Sequence, residues 1–231
     1  MFLHASIQWY CAISVFLLCG IIVLAQKSKA DPLLNTDDVS ITAAHRCQLE
    51  SAYSHSTSGT WSYQVTPACN FSENLEISVG YHASKDVDNV HGFSAQAKTV
   101  LKPMNQFWGI ASSLMLSQDE QSQHSSDLDW FLNLPMSFNL APRLELDTNL
   151  GYQYAPDHSR LIRWGVATHY SLNDRWALSA ETYNQDRDAP FFQTAVHYRL
   201  IPNIITLEAT FGDRFNAFRQ RWFGLGLSYT P

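Results

Sequence analysis

The stretch RLELDTNLGYQY, residues 143–154, alternates between apolar and polar side chains along most of its length. One set of alternate positions carries leucines, a threonine and two tyrosines. The other set carries two carboxylates, an asparagine, a glycine and a glutamine. Because successive side chains of a β-strand point to opposite faces, this period of two predicts a strand with one apolar face and one polar face.

The same unit of about ten alternating residues, followed by a turn or loop, recurs along the chain of 231 residues, and no segment after residue 44 has the period of a helix. We therefore expect twelve strands. They are expected at approximately residues 46–55, 61–70, 74–84, 91–101, 107–117, 128–139, 143–154, 161–172, 175–184, 190–200, 204–212 and 220–229.

The connections between these strands alternate in kind. Tight turns such as LNDR and IPN are followed by longer, more polar loops such as SKDVDN and NQDRDAP. Short turns at one edge and longer loops at the other are typical of bacterial outer-membrane β-barrels, and an even strand number places both termini on the periplasmic side. The sequence thus predicts an all-β protein, a closed antiparallel up-and-down transmembrane barrel of a Gram-negative outer membrane.

A soluble β-sandwich would also alternate and is the alternative fold. Two features favour the membrane barrel: nearly every strand carries an apolar face with aromatic residues near its ends, and the opposite face carries small and ionisable residues. A closed barrel also pairs every strand edge, as a lipid environment requires.

The last twelve residues, QRWFGLGLSYTP (220–231), have one apolar face and carry two glycines on the other face. We expect this strand to pair with the first strand and to present its apolar face to lipid. It resembles the terminal signal read by the barrel-assembly machinery, although the last aromatic residue, Tyr229, lies two positions before the end.

The N-terminal region contains the one long apolar run, residues 9–25, followed by small residues at Ser28 and Ala30. This pattern predicts a signal peptide over residues 1–30, cleaved after Ala30. An uncleaved anchor is the alternative, because no Lys or Arg precedes the run. Residues 31–45 are expected to form a short periplasmic lead-in, and residues 46–231 the barrel domain.

The charge of the mature chain argues against nucleic-acid binding. Loss of Lys27 and Lys29 with the signal peptide would shift the formal net charge from −6 to −8. Nucleic-acid binding proteins carry a basic patch, which this composition does not favour. The expected partners are the lipid bilayer, the barrel-assembly machinery and a small-molecule solute.

Three segments, NLEISVG, NDRWALSAE and YRLIPNIITLEATFG, resemble the small outer-membrane channel proteins grouped around phenol-degradation pathways. The resemblance covers most of the mature chain. It implies passive, porin-like transport of small solutes and carries over no site residues.

The two cysteines of the mature chain fall on the first two strands. If these strands turn about residue 58, Cys47 lies opposite Cys69, as Tyr53 does Tyr63. Directly opposed positions are close enough for a cross-strand disulfide, which an oxidising compartment would favour. Two free thiols are the alternative.

Ionisable side chains collect on the predicted inward face, where we expect them to line a narrow pore. Paired charges that only hold the wall together are the alternative reading. The loop at 117–127 is expected to fold over the mouth as an acidic filter. The pore-lining set is Glu50, Glu76, Lys98, Asp129, Glu145, Asp147, Arg163, His169, Glu181, His197, Arg199 and Glu208.

Turning the predicted strands about their loops places Asp147 beside His169 and Ser179 on the other side of that histidine. This is the arrangement of a nucleophilic triad, and a lumen hydrolase is one alternative function. We expect no catalysis, because small polar residues are common in a lumen. No metal-ligand spacing and no cofactor motif is found, so a passive channel is the prediction and a non-conducting structural or ligand-binding barrel the other alternative.

Overall fold

The structure is a computed structural model that describes residues 31–85, 89–121, 128–154, 160–185, 189–215 and 220–231. The predicted signal peptide lies outside the described residues. Among those residues, no helix is long and apolar enough to cross a membrane. The strands are β1 (Cys47–Ser56), β2 (Trp61–Asn70), β3 (Leu75–Lys85), β4 (Asn89–Lys102), β5 (Trp108–Gln121), β6 (Leu128–Ala141), β7 (Leu144–Tyr154), β8 (Arg160–Ser171), β9 (Trp176–Gln185), β10 (Phe191–Ile201), β11 (Ile205–Arg214) and β12 (Trp222–Tyr229).

The twelve strands form one closed antiparallel barrel in which each strand pairs with its neighbours in sequence. Closure is made by β12, which pairs with β1 from Leu49↔Tyr229 to Ser56↔Trp222. The predicted barrel and its closing strand are therefore confirmed, and no described strand is left with a free edge.

The largest difference from the predicted strand bounds is at the end of β5. Residues 117–121 extend this strand and pair with β4 as far as Val90↔Gln121, where a loop was expected. The prediction of a loop over 117–127 is wrong in that part, and residues 122–127 lie outside the described residues. Backbone pairing continues because a β-ladder needs no apolar side chains once it leaves the lipid.

The barrel is apolar outside and polar inside, the reverse of a soluble domain. Large apolar side chains stand exposed on the outer face, among them Leu225 at 66% and Phe93 at 61% of full exposure. The buried side chains include Asp147, Gln193 and Asn70, which face the interior. A soluble β-sandwich would bury the apolar set, so that alternative is wrong.

The two ends of the barrel differ. The short-turn rim carries the connections at 71–74, 103–107, 142–143, 172–175 and 202–204, together with both ends of the barrel chain; the opposite end is the loop rim. The predicted Cys47–Cys69 disulfide is present near the short-turn rim, between directly opposed positions of β1 and β2.

Residues 31–42 lie inside the barrel, and we call them the luminal segment. The sequence predicts a periplasmic lead-in over 31–45, and this placement is wrong for residues 31–42. Thr36, Val39 and Thr42 are buried, and their backbone amides bind inward-facing side chains of three different strands. The backbone N–H groups of the segment donate hydrogen bonds to inward-facing polar side chains of the wall. In an apolar core, neither the N–H groups nor the carboxylates would find a hydrogen-bond partner.

Candidate functional site

The luminal segment and the wall that binds it are the candidate functional site. The segment begins with a turn in which the amide of Leu34 donates to the carbonyl of Asp31 at 3.2 Å. The wall holds this turn by donating hydrogen bonds to two of the turn's backbone carbonyls. Gln64 Nε2 donates to the Pro32 carbonyl and Gln193 Nε2 to the Leu33 carbonyl, each at 2.6 Å. The segment is thereby fixed to β2 on one side and to β10 on the other.

Glu181, on β9, is the main carboxylate anchor of the segment. Its Oε2 accepts the backbone N–H of Thr36 at 2.8 Å, and its Oε1 accepts that of Asn35 at 3.0 Å. The side chain is 4% exposed. A buried carboxylate is tolerated only where such donors replace water, so this anchor and the segment depend on each other.

The middle of the segment is held by β4 and β7. Asp37 Oδ1 forms an ion pair with Lys98 Nζ at 2.7 Å. The Asp37 backbone is gripped from the other side, because its N–H donates to Asn149 Oδ1 at 2.8 Å while its carbonyl accepts from Asn149 Nδ2 at 2.6 Å. Asp38 also approaches Lys98, at 3.8 Å.

The last residues of the segment run back toward the short-turn rim. The amide of Val39 donates to Ser137 Oγ at 3.0 Å and that of Thr42 to Glu76 Oε2 at 2.6 Å. Asn70 Nδ2 donates to the Thr42 carbonyl at 2.7 Å. The chain then enters β1.

Inward-facing glycines make room for the segment. A Cβ added at Gly165 would overlap the Thr36 side chain, and one added at Gly226 would lie 2.9 Å from Pro32 Cγ. At Gly224 the nearest segment atom would be Leu33 Cδ2, at 3.0 Å. The two glycines of β12 thus lie where the segment packs closely against the wall.

All twelve predicted pore-lining residues lie at inward-facing positions of the strands. Glu76, Lys98 and Glu181 bind the luminal segment directly. His197 and His169 also approach it, with their Nδ1 atoms 3.3 and 3.6 Å from the Asp31 carboxylate. The others are spread over the wall, so the predicted set is not one site. Its remaining members are Glu50, Asp129, Glu145, Asp147, Arg163, Arg199 and Glu208.

Several of these remaining residues bind the wall itself. Glu50 Oε1 accepts from Gln48 Nε2 at 3.3 Å. Toward the loop rim, Gln153 donates to Asp129 Oδ2 at 3.4 Å and accepts from Arg163 at 3.3 Å. These contacts show that wall-stabilising pairs and segment-binding groups coexist in the lumen.

Two more members of the set, Arg199 and Glu145, lie toward the short-turn end. Arg199 donates to the carbonyls of Asn173 and Asp174 in the turn beside it, while Glu145 lies opposite His169 in the β7–β8 ladder.

A chain of polar contacts runs from β7 to the luminal segment. His169 Nε2 lies 3.0 Å from Asp147 Oδ2, and Ser179 Oγ lies 2.7 Å from His169 Nδ1. The predicted grouping of Asp147, His169 and Ser179 is present. Ser179 Oγ is also 2.7 Å from His197 Nε2, whose Nδ1 lies 3.3 Å from Asp31 Oδ1.

The sequence does not predict the second half of this series of contacts, which runs from Ser179 through His197 to Asp31. The sequence assigns His197 to the inward face, but its contact with Ser179 depends on the register between β9 and β10, where Ala195 lies opposite Ser179. The sequence places Asp31 in the periplasmic lead-in, outside the barrel. The serine hydroxyl is buried and lies within hydrogen-bond distance of both imidazoles.

Between the segment and the loop rim lies a cavity of about 670 Å³, which we call the vestibule. Its floor is formed by Pro32, Leu33, Leu34 and Asn35. Its walls carry mainly hydroxyl, amide and aromatic side chains, with Lys85 as the charged group among the lining residues.

Comparison with known proteins gives the family. A family model described as "Uncharacterised conserved protein UCP029691" matches residues 20–230. The chain belongs to this family. Comparison with curated proteins found no match.

Solved structures share the fold at low sequence identity. The KdgM porin has a TM-score of 0.65 at 11% identity, over 79% of this chain and 98% of the porin. An outer membrane channel from Pseudomonas putida F1 has a TM-score of 0.56 at 8% identity, over 88% and 100%. Outer membrane phospholipase A from Escherichia coli has 0.51 at 12%, over 91% and 97%.

These likenesses agree with the chain's own surface. The fold is that of bacterial outer-membrane barrels, and the exposed apolar side chains surround the barrel on its outer face. The protein therefore has the fold and the apolar outer face of an outer-membrane β-barrel, as the sequence predicts.

Proposed function

We propose that this protein is a passive channel for small polar solutes, whose narrow, charged lumen is constricted by the luminal segment. The observation that carries the proposal is the way this segment is held. Its described contacts with the wall include hydrogen bonds to Glu181 and Asn149 and ion pairs to Lys98. Water and polar solute can replace such contacts when the segment opens locally.

The vestibule supports the same proposal. It leads from the loop rim down to Pro32–Asn35, and its lining of serine, threonine and glutamine side chains suits a polar solute. Aromatic residues such as Trp61 and Tyr183 add flat apolar surface. Below the floor the wall becomes strongly ionisable, so we expect the segment to mark the change from a neutral to a charged path.

The fold of the KdgM porin and of the Pseudomonas channel favours transport as the function of this scaffold. The phospholipase has the same general fold, and fold alone does not decide function. We propose that the Asp147–His169–Ser179 grouping here is not catalytic, because Ser179 lies in the interior beneath Asp31. Ester hydrolysis by the purified protein that disappears in Ser179→Ala would contradict this.

The channel proposal is tested by single-channel conductance in a planar bilayer. We expect discrete steps, and we expect their cation-to-anion permeability ratio to change in Arg163→Gln and Glu145→Gln, in opposite directions, because each removes one inward charge. Exposed His91, near the loop rim, provides the control variant His91→Gln, which should leave the ratio unchanged. A barrel that inserts but stays silent would favour the structural or binding alternative.

A further inference from the structure

We propose that Asp31, His197 and Glu208 form a binding site for a divalent transition-metal ion, with Zn²⁺ as the best match. One ligand atom of each residue lies within 4.8 Å of the others. Asp31 belongs to the luminal segment, whereas His197 and Glu208 lie directly opposite each other on β10 and β11. Directly opposed side chains on paired strands are fixed within about 5 Å at their Cβ atoms, so two of the three ligands are held in place by the sheet.

Glu208 provides the first argument. Its side chain is 4% exposed, and although the backbone N–H of Leu33 faces the carboxylate, neither oxygen accepts a hydrogen bond of good geometry from the described part of the chain. It also faces the charges of Asp31, Glu181 and Glu50, all of the same sign. A buried carboxylate without well-aligned donors among like charges is costly, and a cation bound there would remove the cost.

The orientation of His197 provides the second argument, and it starts at Asp147. Asp147 Oδ2 lies 3.0 Å from His169 Nε2. Ser179 Oγ lies 2.7 Å from both His169 Nδ1 and His197 Nε2. With Nε2 held at Ser179, His197 presents Nδ1 to Asp31 Oδ1 at 3.3 Å.

When His197 Nδ1 is unprotonated, this nitrogen and Asp31 Oδ1 are spaced as two ligands of one metal ion. The contact chain through Ser179 has the role that outer partners have at metal sites, where the second nitrogen of a ligating imidazole is held by a hydrogen bond. Ser179 is thus a positioning residue for His197. The Asp147–His169–Ser179 grouping, which the sequence predicts to be non-catalytic, then serves to orient a metal ligand.

The donor set selects the ion. One imidazole nitrogen and two carboxylates are typical Zn²⁺ ligands, whereas Ca²⁺ and Mg²⁺ prefer oxygen ligands alone. A charge of +2 balances the two carboxylates, and water would complete a four-coordinate site. The bound ion would join the start of the luminal segment to β10 and β11.

The test is Zn²⁺ binding by the purified, chelator-stripped full chain in detergent, measured by competition with a chromophoric chelator. We expect one tight equivalent, at least about tenfold weaker in Glu208→Gln and in His197→Gln. His82 pairs with Asp119 at 2.8 Å near the loop rim, so His82→Gln is the matched control and should bind like the unaltered chain. A heat-dependent shift in electrophoretic mobility verifies that each variant is folded. If either Glu208→Gln or His197→Gln does not fold, Asp31→Asn is tested in its place.

Zn²⁺ affinity that is unchanged in Glu208→Gln and His197→Gln would overturn the proposal, as would loss of the tight equivalent in His82→Gln. Equal competition by Ca²⁺ would overturn the transition-metal assignment. Because this assay needs no bilayer, it is independent of the channel proposal: tight Zn²⁺ binding by a silent barrel would contradict the channel alone.

Discussion

Replacing the anchor of the luminal segment, Glu181→Gln, is expected to loosen the segment without unfolding the barrel. The carboxylate uses both oxygens to bind two backbone amides, those of Asn35 and Thr36. Glutamine keeps one acceptor oxygen, has no charge, and turns an NH₂ group toward a donor. One charge-assisted hydrogen bond is therefore lost, and such a bond contributes about 1.5–3 kcal/mol.

This loss should be measurable by hydrogen–deuterium exchange. Exchange of the Asn35 and Thr36 amides requires local opening of the segment. Loss of about 1.5–3 kcal/mol of stabilisation makes this opening about 10- to 150-fold more frequent. Amides in β9 should keep their protection, because their partners are in the sheet. The comparison is made by mass spectrometry on peptides that cover residues 31–42.

Glu50→Gln is the matched control. Glu50 is also an inward carboxylate, but its hydrogen bond goes to Gln48 on the same strand. We expect no increase in exchange at Asn35 and Thr36 in this variant. Equal exchange at these two amides in the unaltered chain and in Glu181→Gln would refute the reasoning.

Three further predictions concern the wall and the lipid face. Gly165→Ala should raise exchange in the luminal segment, because the new Cβ overlaps Thr36, and the pair Thr36→Ala/Gly165→Ala should partly restore protection. Leu225→Arg should lower the free energy of unfolding by about 2–4 kcal/mol in urea titrations in lipid vesicles, and Leu225→Ala by less, since Leu225 is exposed to lipid on β12. Cys47→Ser/Cys69→Ser should lower it by about 3 kcal/mol, from the entropy of a 22-residue separation, and an unchanged urea midpoint would contradict this.

The barrel could be predicted from sequence because its determinants are local. Alternation identifies each strand, and a hairpin turn then sets the register, so Cys47 and Cys69 could be paired from residue numbers alone. The same arithmetic brought Asp147, His169 and Ser179 together. Each of these inferences links neighbouring strands.

The luminal segment could not be predicted in this way. Its contacts join residues far apart in sequence, 98 positions for Val39 and Ser137 and 160 for Leu33 and Gln193. The sequence of the segment has no periodic pattern of apolar residues that would indicate burial, since the segment is buried through its backbone as well as its side chains. Excess inward carboxylates and the glycines at 224 and 226 were the available signal, because both indicate that something occupies the lumen.

The central claim, that the luminal segment limits passage through the barrel, is tested most directly by locking it. In Thr36→Cys/Gly165→Cys the two Cβ atoms would lie 3.3 Å apart, within a few tenths of an ångström of the spacing in disulfides. Conductance in a planar bilayer is measured before and after reduction, beside the unaltered chain treated with the same reductant.

We predict that the oxidised pair shows no conductance steps under conditions in which the unaltered chain conducts, and that reduction restores them. Oxidised channels that conduct like the unaltered chain would contradict the account.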